Sequence, residues 1–107
     1  MATFLNAKVI EADYPTDFVI DQPTSGAIFM PGWAIAVYAT AESPSKVVSA
    51  RTHYNAGYEA MSVDNITGEV QFEYFTAALG QEAIIVEVTW ANGTVISKQV
   101  NFSVLAA

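Results

Sequence analysis

From Trp33 to Val104, apolar and polar residues alternate in short runs, and each run ends in turn-forming residues. Trp33, Ile35, Val37 and Ala39 share one parity, with Ala34, Ala36 and Tyr38 on the other. The same pattern recurs in Val70-Gln71-Phe72-Glu73-Tyr74, in 84–90 and in 96–104. A period of two is that of a strand with one buried and one wet face. Strands are therefore predicted at 18–20, 32–40, 47–54, 58–63, 69–75, 82–90 and 94–104, with a short edge piece at 27–30 stopped by Pro31-Gly32. In 47–54, Val48, Ala50, Thr52 and Tyr54 alternate against Val47, Ser49, Arg51 and His53.

Turn signals separate these runs. Asn55-Ala56-Gly57, Asp64-Asn65-Ile66-Thr67-Gly68 and Ala91-Asn92-Gly93 are the clearest, and Gly68 is expected to take the positive φ of a bulge-type hairpin. No i, i+3, i+4 apolar stripe lasts three turns, so no long helix is expected. Several short strands at turn spacings near ten residues indicate an all-β, antiparallel sandwich of about seven strands. The chain divides into an N-terminal arm or extra strand, 1–18, and a sandwich domain, 19–107. The arm holds the strand-like run Phe4-Leu5-Asn6-Ala7-Lys8-Val9-Ile10, then turn-rich residues around Pro15.

Composition narrows the chemistry. With 52% hydrophobic and 14% charged residues, the chain is that of a folded domain with its own core. There is no cysteine, so the core acts without disulfides or thiolate metal sites. Eleven acidic against four basic residues give a net charge of −7, the wrong sign for nucleic acid or anionic lipid. The run from Ala27 to Ala41 is broken by Pro31-Gly32 and too short to span a bilayer, and no basic-then-apolar leader is visible in the first twenty residues. No membrane insertion is expected.

The order Pro23-Thr24-Ser25-Gly26-Ala27, Gly32 opening a strand, Val47-Val48-Ser49-Ala50, Gly57, Ile85-Val86-Glu87-Val88, Asn92-Gly93-Thr94 and Val100 through Val104 resembles the immunoglobulin-like domains of bacterial surface proteins, secreted enzymes and phage virion proteins. The resemblance covers about Val19 to Val104. It lacks the Cys…Trp…Cys pattern of antibody domains, and Ala91-Asn92 replaces the Asp often found before the last hairpin glycine, which removes a turn contact and any cation role there. The resemblance implies adhesion, spacing, decoration or carbohydrate contact, and not catalysis. A short chain without an export signal resembles a phage decoration or attachment protein. It would be located on the virion, grip a capsid or tail protein through its arm (Phe4 and Leu5 among its apolar residues) and present loops Pro44-Ser45, Ala56-Gly57 and Asn65-Ile66. The alternative is an extracellular or cell-surface module from a bacterial surface protein or secreted enzyme that contacts a glycan or protein.

His53 is the sole histidine, with no HExxH or Ser-His-Asp pattern around it, and is expected in a solvent-side network. Tyr54 and Tyr58 flank the Gly57 turn and are candidate binding aromatics, with Asn65 beside them as a loop candidate. Trp33 and Trp90 share the parity of inward residues and are expected in the core. Asp13, Asp17 and Asp21 recur every four residues and are the candidate calcium ligands, although Pro15 forbids a helix that would align them. Glu69, Glu73 and Glu87 are expected on wet sheet faces; as a carboxylate pair they would lack the cleft that glycosidase chemistry needs. The sequons at Asn65, Asn92 and Asn101 fit turn and strand composition. Edge strands at Ala27 to Met30 or in the arm could pair between copies to form an oligomer.

Overall fold

The computed structural model describes residues 14–76 and 78–106. Nine strands follow one another: β1 (Phe18–Gln22), β2 (Ile28–Phe29), β3 (Ala34–Ala41), β4 (Val47–Tyr54), β5 (Ala56–Ala60), β6 (Ser62–Val63), β7 (Glu69–Phe75), β8 (Gly80–Trp90) and β9 (Val95–Val104). β2 and β6 are two-residue pieces, which leaves seven longer strands. Among the described residues the helical content is a single 3-10 turn, Pro44–Lys46.

The strands form two sheets, β1-β3-β7-β6 and β2-β9-β8-β4-β5. Pairing is antiparallel except between β2 and β9, which run parallel. The two sheets, of four and five strands, pack as an immunoglobulin-like sandwich, and the chain's first segment is shared between them. Here the sharing falls between Gln22 and Ile28, where the chain leaves the partner of β3 and becomes the partner of β9.

The inner faces meet as the alternation demands. Ile35, Val37 and Val70 of one sheet pack against Ile84, Val86, Val88 and Phe102 of the other, all buried. Thr52 is also buried, and its Oγ1 donates to the Ile85 carbonyl at 2.9 Å, which satisfies a hydroxyl that would otherwise destabilise the interior. Trp90 closes one end of this core with 1% of its surface exposed, and its Nε1 donates to the Glu42 carbonyl at 2.8 Å.

Three details differ from the sequence expectation. The run predicted as one strand at 58–63 is two: β5 stays with β4, then the chain crosses at buried Met61 so that Ser62 pairs with Gln71 in the opposite sheet. Val48 is exposed and Val47 buried, because a bulge between Val47 and Ser49 inverts the alternation at the start of β4. Trp33 has inward parity yet is 52% exposed, since it precedes the first β3 residue and lies past the sheet's end. Trp90 has the core position expected of it.

The sandwich has two distinct ends. Asp17, Glu42, Lys46, the 64–68 turn and the 91–94 hairpin gather at one, which we call the head; backbone bonds from Glu42 N to Asp17 O and from Ala91 N to Lys46 O join them. The opposite end, the tail, carries the 30–33 turn, the β4–β5 turn, the β7–β8 connection and the residues after β9. There Leu105 N donates to Phe29 O and Thr76 N to Trp33 O.

Candidate functional site

Outward residues of the five-stranded sheet form a polar row across four strands. Tyr58 stands on β5, Arg51 on β4, Glu87 on β8 and Ser97 on β9. The Arg51–Glu87 register makes the two residues direct cross-strand neighbours, and Arg51 Nε donates to Glu87 Oε1 at 2.6 Å. Ser97 Oγ donates to the second carboxylate oxygen at 3.3 Å. The guanidinium stacks on the Tyr58 ring, 3.9 Å from its centroid, a cation–π geometry that fixes both groups. The Glu87 carboxylate raises the Arg51 pKa above its usual value. His53 also neighbours Tyr58, with ring centroids 5.3 Å apart and the rings tilted by 48°. Tyr58 is thus a pre-positioned aromatic edge, and the guanidinium already covers one ring face.

Beside this row lies an open depression of about 540 Å³ lined by His53, Asn55, Gln81, Glu82, Ala83, Ile85 and Asn101. Its lining combines apolar Ala83 and Ile85 with three amides, one imidazole and one carboxylate. Such a surface offers hydrogen bonds to a polar ligand but no nucleophile–base–orienter arrangement of the kind acyl or glycosyl transfer requires. Glu69 and Glu73 are on β7, in the other sheet from Glu87, so these three carboxylates do not share a face.

The other sequence candidates fall elsewhere. Tyr54 is buried, with its ring 5.5 Å from both Tyr74 and Phe102, so it is a core residue and not a binding aromatic. Its parity with Ala50 and Thr52 carried that signal. Asn65 is exposed, but its Nδ2 donates to the Pro44 and Val47 carbonyls, both at 2.9 Å, and ties two head loops together. Phe4, Leu5 and Asp13 lie outside the described residues. Asp21 accepts from Thr40 Oγ1 at 2.6 Å, whereas Asp17 pairs with Lys98 Nζ at 2.9 Å; the two do not converge on a shared cation position. No group of three or more His, Asp or Glu suited to a metal occurs among the described residues. The three loops expected to form one outer surface do not: Pro44-Ser45 and Asn65-Ile66 are at the head, Ala56-Gly57 at the tail.

Two head carboxylates respond to acid. Asp17 is held below the ordinary 3.8 by hydrogen bonds from Lys98 and the Phe18 N–H. Asp64 is held below 3.8 by the Ile66 and Thr67 N–H groups at the start of its turn. The unfolded chain therefore takes up these protons at higher pH than the folded one. The stabilisation is full above 3.8 and is lost as pH falls through the lower folded values. Asp17→Asn and Asp64→Asn are each expected to flatten the acid limb of the urea midpoint between about pH 5 and pH 2. An unchanged limb in both variants would show that neither carboxylate contributes.

No protein-family model matches the sequence, and a comparison with curated proteins finds no match. Solved structures match with high shape similarity and low identity. Part of an endo-β-1,4-mannanase from Thermotoga petrophila superposes with a TM-score of 0.72 at 11% identity, covering 88% of this chain and 20% of that one. Fibronectin(III)-like modules of Clostridium thermocellum CbhA give 0.64 at 21% identity, covering 82% and 94%. The PKD1 domain of Vibrio anguillarum Epp gives 0.51 at 15%, covering 87% and 94%. This chain spans about a fifth of the mannanase and nearly the whole of the two modules. The polypeptide described above has an immunoglobulin-like β-sandwich fold, shared with fibronectin III-like and PKD modules.

Proposed function

We propose that this chain is a non-enzymatic structural and binding module, and that it decorates a phage virion, attached to a capsid or tail protein by the segment preceding β1. The observation that supports this reading is how firmly the root of that segment is held at the head. The Tyr14 hydroxyl accepts from Asn92 N at 2.9 Å, Ser43 Oγ donates to the Pro15 carbonyl at 2.6 Å, and Lys98 holds Asp17. An arm rooted by three separate contacts transmits a pull on it to the sandwich. Strand addition to a neighbour's open edge is a known way for such a segment to dock. Removing Met1 to Tyr14 is expected to abolish particle association while the far-ultraviolet circular dichroism remains that of a β protein. Full particle occupancy by the truncated chain would refute the arm as the anchor.

The mannanase match favours a second reading. A module of this fold can be one-fifth of a longer enzyme chain, and the corresponding role here is an accessory unit at the cell surface or outside the cell. The ligand surface would then be the Tyr58–Arg51 row and its adjoining depression. Oligosaccharide binding that is lost in Tyr58→Ala, with particle association absent, would select this reading over the first.

A further inference from the structure

The tail of the sandwich exposes a group of large apolar side chains and is built from segments without Asp, Glu, Lys or Arg. Of the ten exposed large apolar side chains among the described residues, five are here: Ile28, Trp33, Phe75, Leu79 and Leu105. They reach the same end through strand register. Ala34, next to Trp33, pairs with Phe75; Gly80, next to Leu79, pairs with Val104, next to Leu105; and Ile28 pairs with Ser103. The described segments that build this end, 27–35, 54–57, 74–76, 78–81 and 102–106, contain no Asp, Glu, Lys or Arg, although the chain has fifteen such residues. A clustered apolar patch at one end of a domain marks an interaction surface, whereas scattered apolar residues do not.

We propose that a second copy of this chain covers this end, in a tail-to-tail dimer. Charge selects the occupant. Each copy carries −7, so most approaches of one copy to another bring acidic groups together. The tail is the face that meets its own copy without like-charge contact, and it sends both charged heads to the far ends of the pair. An isologous contact across a two-fold axis needs this kind of self-complementary surface. Trp33, half-exposed and flanked by Pro31-Gly32, is the central anchor, because a desolvated indole is the side chain most often responsible for interface free energy.

The contact is small. The sandwich measures about 22 by 21 Å across, which gives several hundred Å² per copy, below the roughly 800 Å² per partner of a standard stable interface. The dimer is therefore a weak one, with a dissociation constant on the order of 10–500 μM. The inference is independent of the virion reading, since it uses the opposite end from Tyr14, Pro15 and Asp17.

Sedimentation equilibrium of the full chain from about 10 μM to 1 mM spans the expected transition. The weight-average mass is expected to rise from 11.5 kDa toward twice that value, and acrylamide quenching of Trp33 is expected to fall in parallel. Trp33→Asp and Phe75→Asp are each expected to remain at monomer mass with unchanged circular dichroism, while Tyr58→Ala, on another face, dimerises like the parent. Raising salt strengthens the association, because it screens the repulsion between two acidic bodies. A parent chain that stays monomeric at 1 mM overturns the proposal. So does association that persists in both aspartate variants, or that weakens with salt. Monomeric chain that floats with phosphatidylcholine vesicles through Trp33 would also overturn it, and would assign the tail to lipid.

Discussion

Trp90→Ala is expected to destabilise the fold by about 3–5 kcal/mol, the range for removing a buried tryptophan side chain. Trp90 is among the largest fully buried side chains and has lost nearly all contact with water. Its removal opens a cavity where β4, β8 and the head connections meet, and it deletes the Nε1 bond to the Glu42 carbonyl. Small domains have net stabilities of only about 5–15 kcal/mol, so this one change consumes a large share. Trp33→Ala supplies the internal comparison. The same residue type with 52% exposure and its ring beyond the sheet end is expected to shift stability by about 0.5 kcal/mol or less. Urea unfolding followed by circular dichroism measures both. Equal losses in the two variants would show that Trp33 is part of the core after all.

Gly68→Ala is expected to cost about 2–3 kcal/mol, through geometry and not through hydrophobic loss. Gly68 ends the 64–68 turn with φ +84, and a Cβ there would stand 2.2 Å from the Ala41 carbonyl oxygen. That oxygen belongs to the backbone at the end of β3, and the Ala41 N–H donates to Gly68 O at 2.8 Å, so neither partner yields freely. Gly93 is the matched control. Its φ is +89, but open space surrounds it. Gly93→Ala therefore bears only the left-handed backbone penalty of about 1 kcal/mol. The difference between the two variants in urea midpoint isolates the collision. If both variants lose the same stability, the Ala41 contact contributes nothing.

Much of the fold was legible in the sequence because the pleat writes itself as parity. Strands 47–54 and 69–75 match β4 and β7 residue for residue, and Gly68 takes the positive φ its turn required. What parity cannot encode is where a sheet stops and which sheet a strand joins. Trp33 shares the phase of Ile35 but sits beyond the last layer of the core, so phase alone misplaced it. The crossing at Met61 is set by the partner strands, Ala50 bonded to Met61 on one side and Gln71 paired with the next residue, Ser62, on the other, and leaves no local mark. The bulge at Val47–Val48 inverts one pair while the rest of β4 keeps its register. In the candidate row, the turn drew attention to Tyr58, but nothing in the sequence marked its neighbours. Arg51 and Glu87 are thirty-six residues apart, and only the β4–β8 register makes them neighbours. Tyr54 shows the converse: its place beside the turn made it a binding candidate, but its parity with Ala50 and Thr52 is that of the core, and it is buried.

The parallel pairing of β2 with β9 has a mechanical consequence. A pull that separates head from tail slides these two strands past each other along their length. The bonds Gly26 N to Asn101 O, Ser103 N to Ala27 O and Leu105 N to Phe29 O then bear load together in shear and do not open one by one like a zipper. Under tension from its two extremities, the sandwich resists extension through this three-bond clamp.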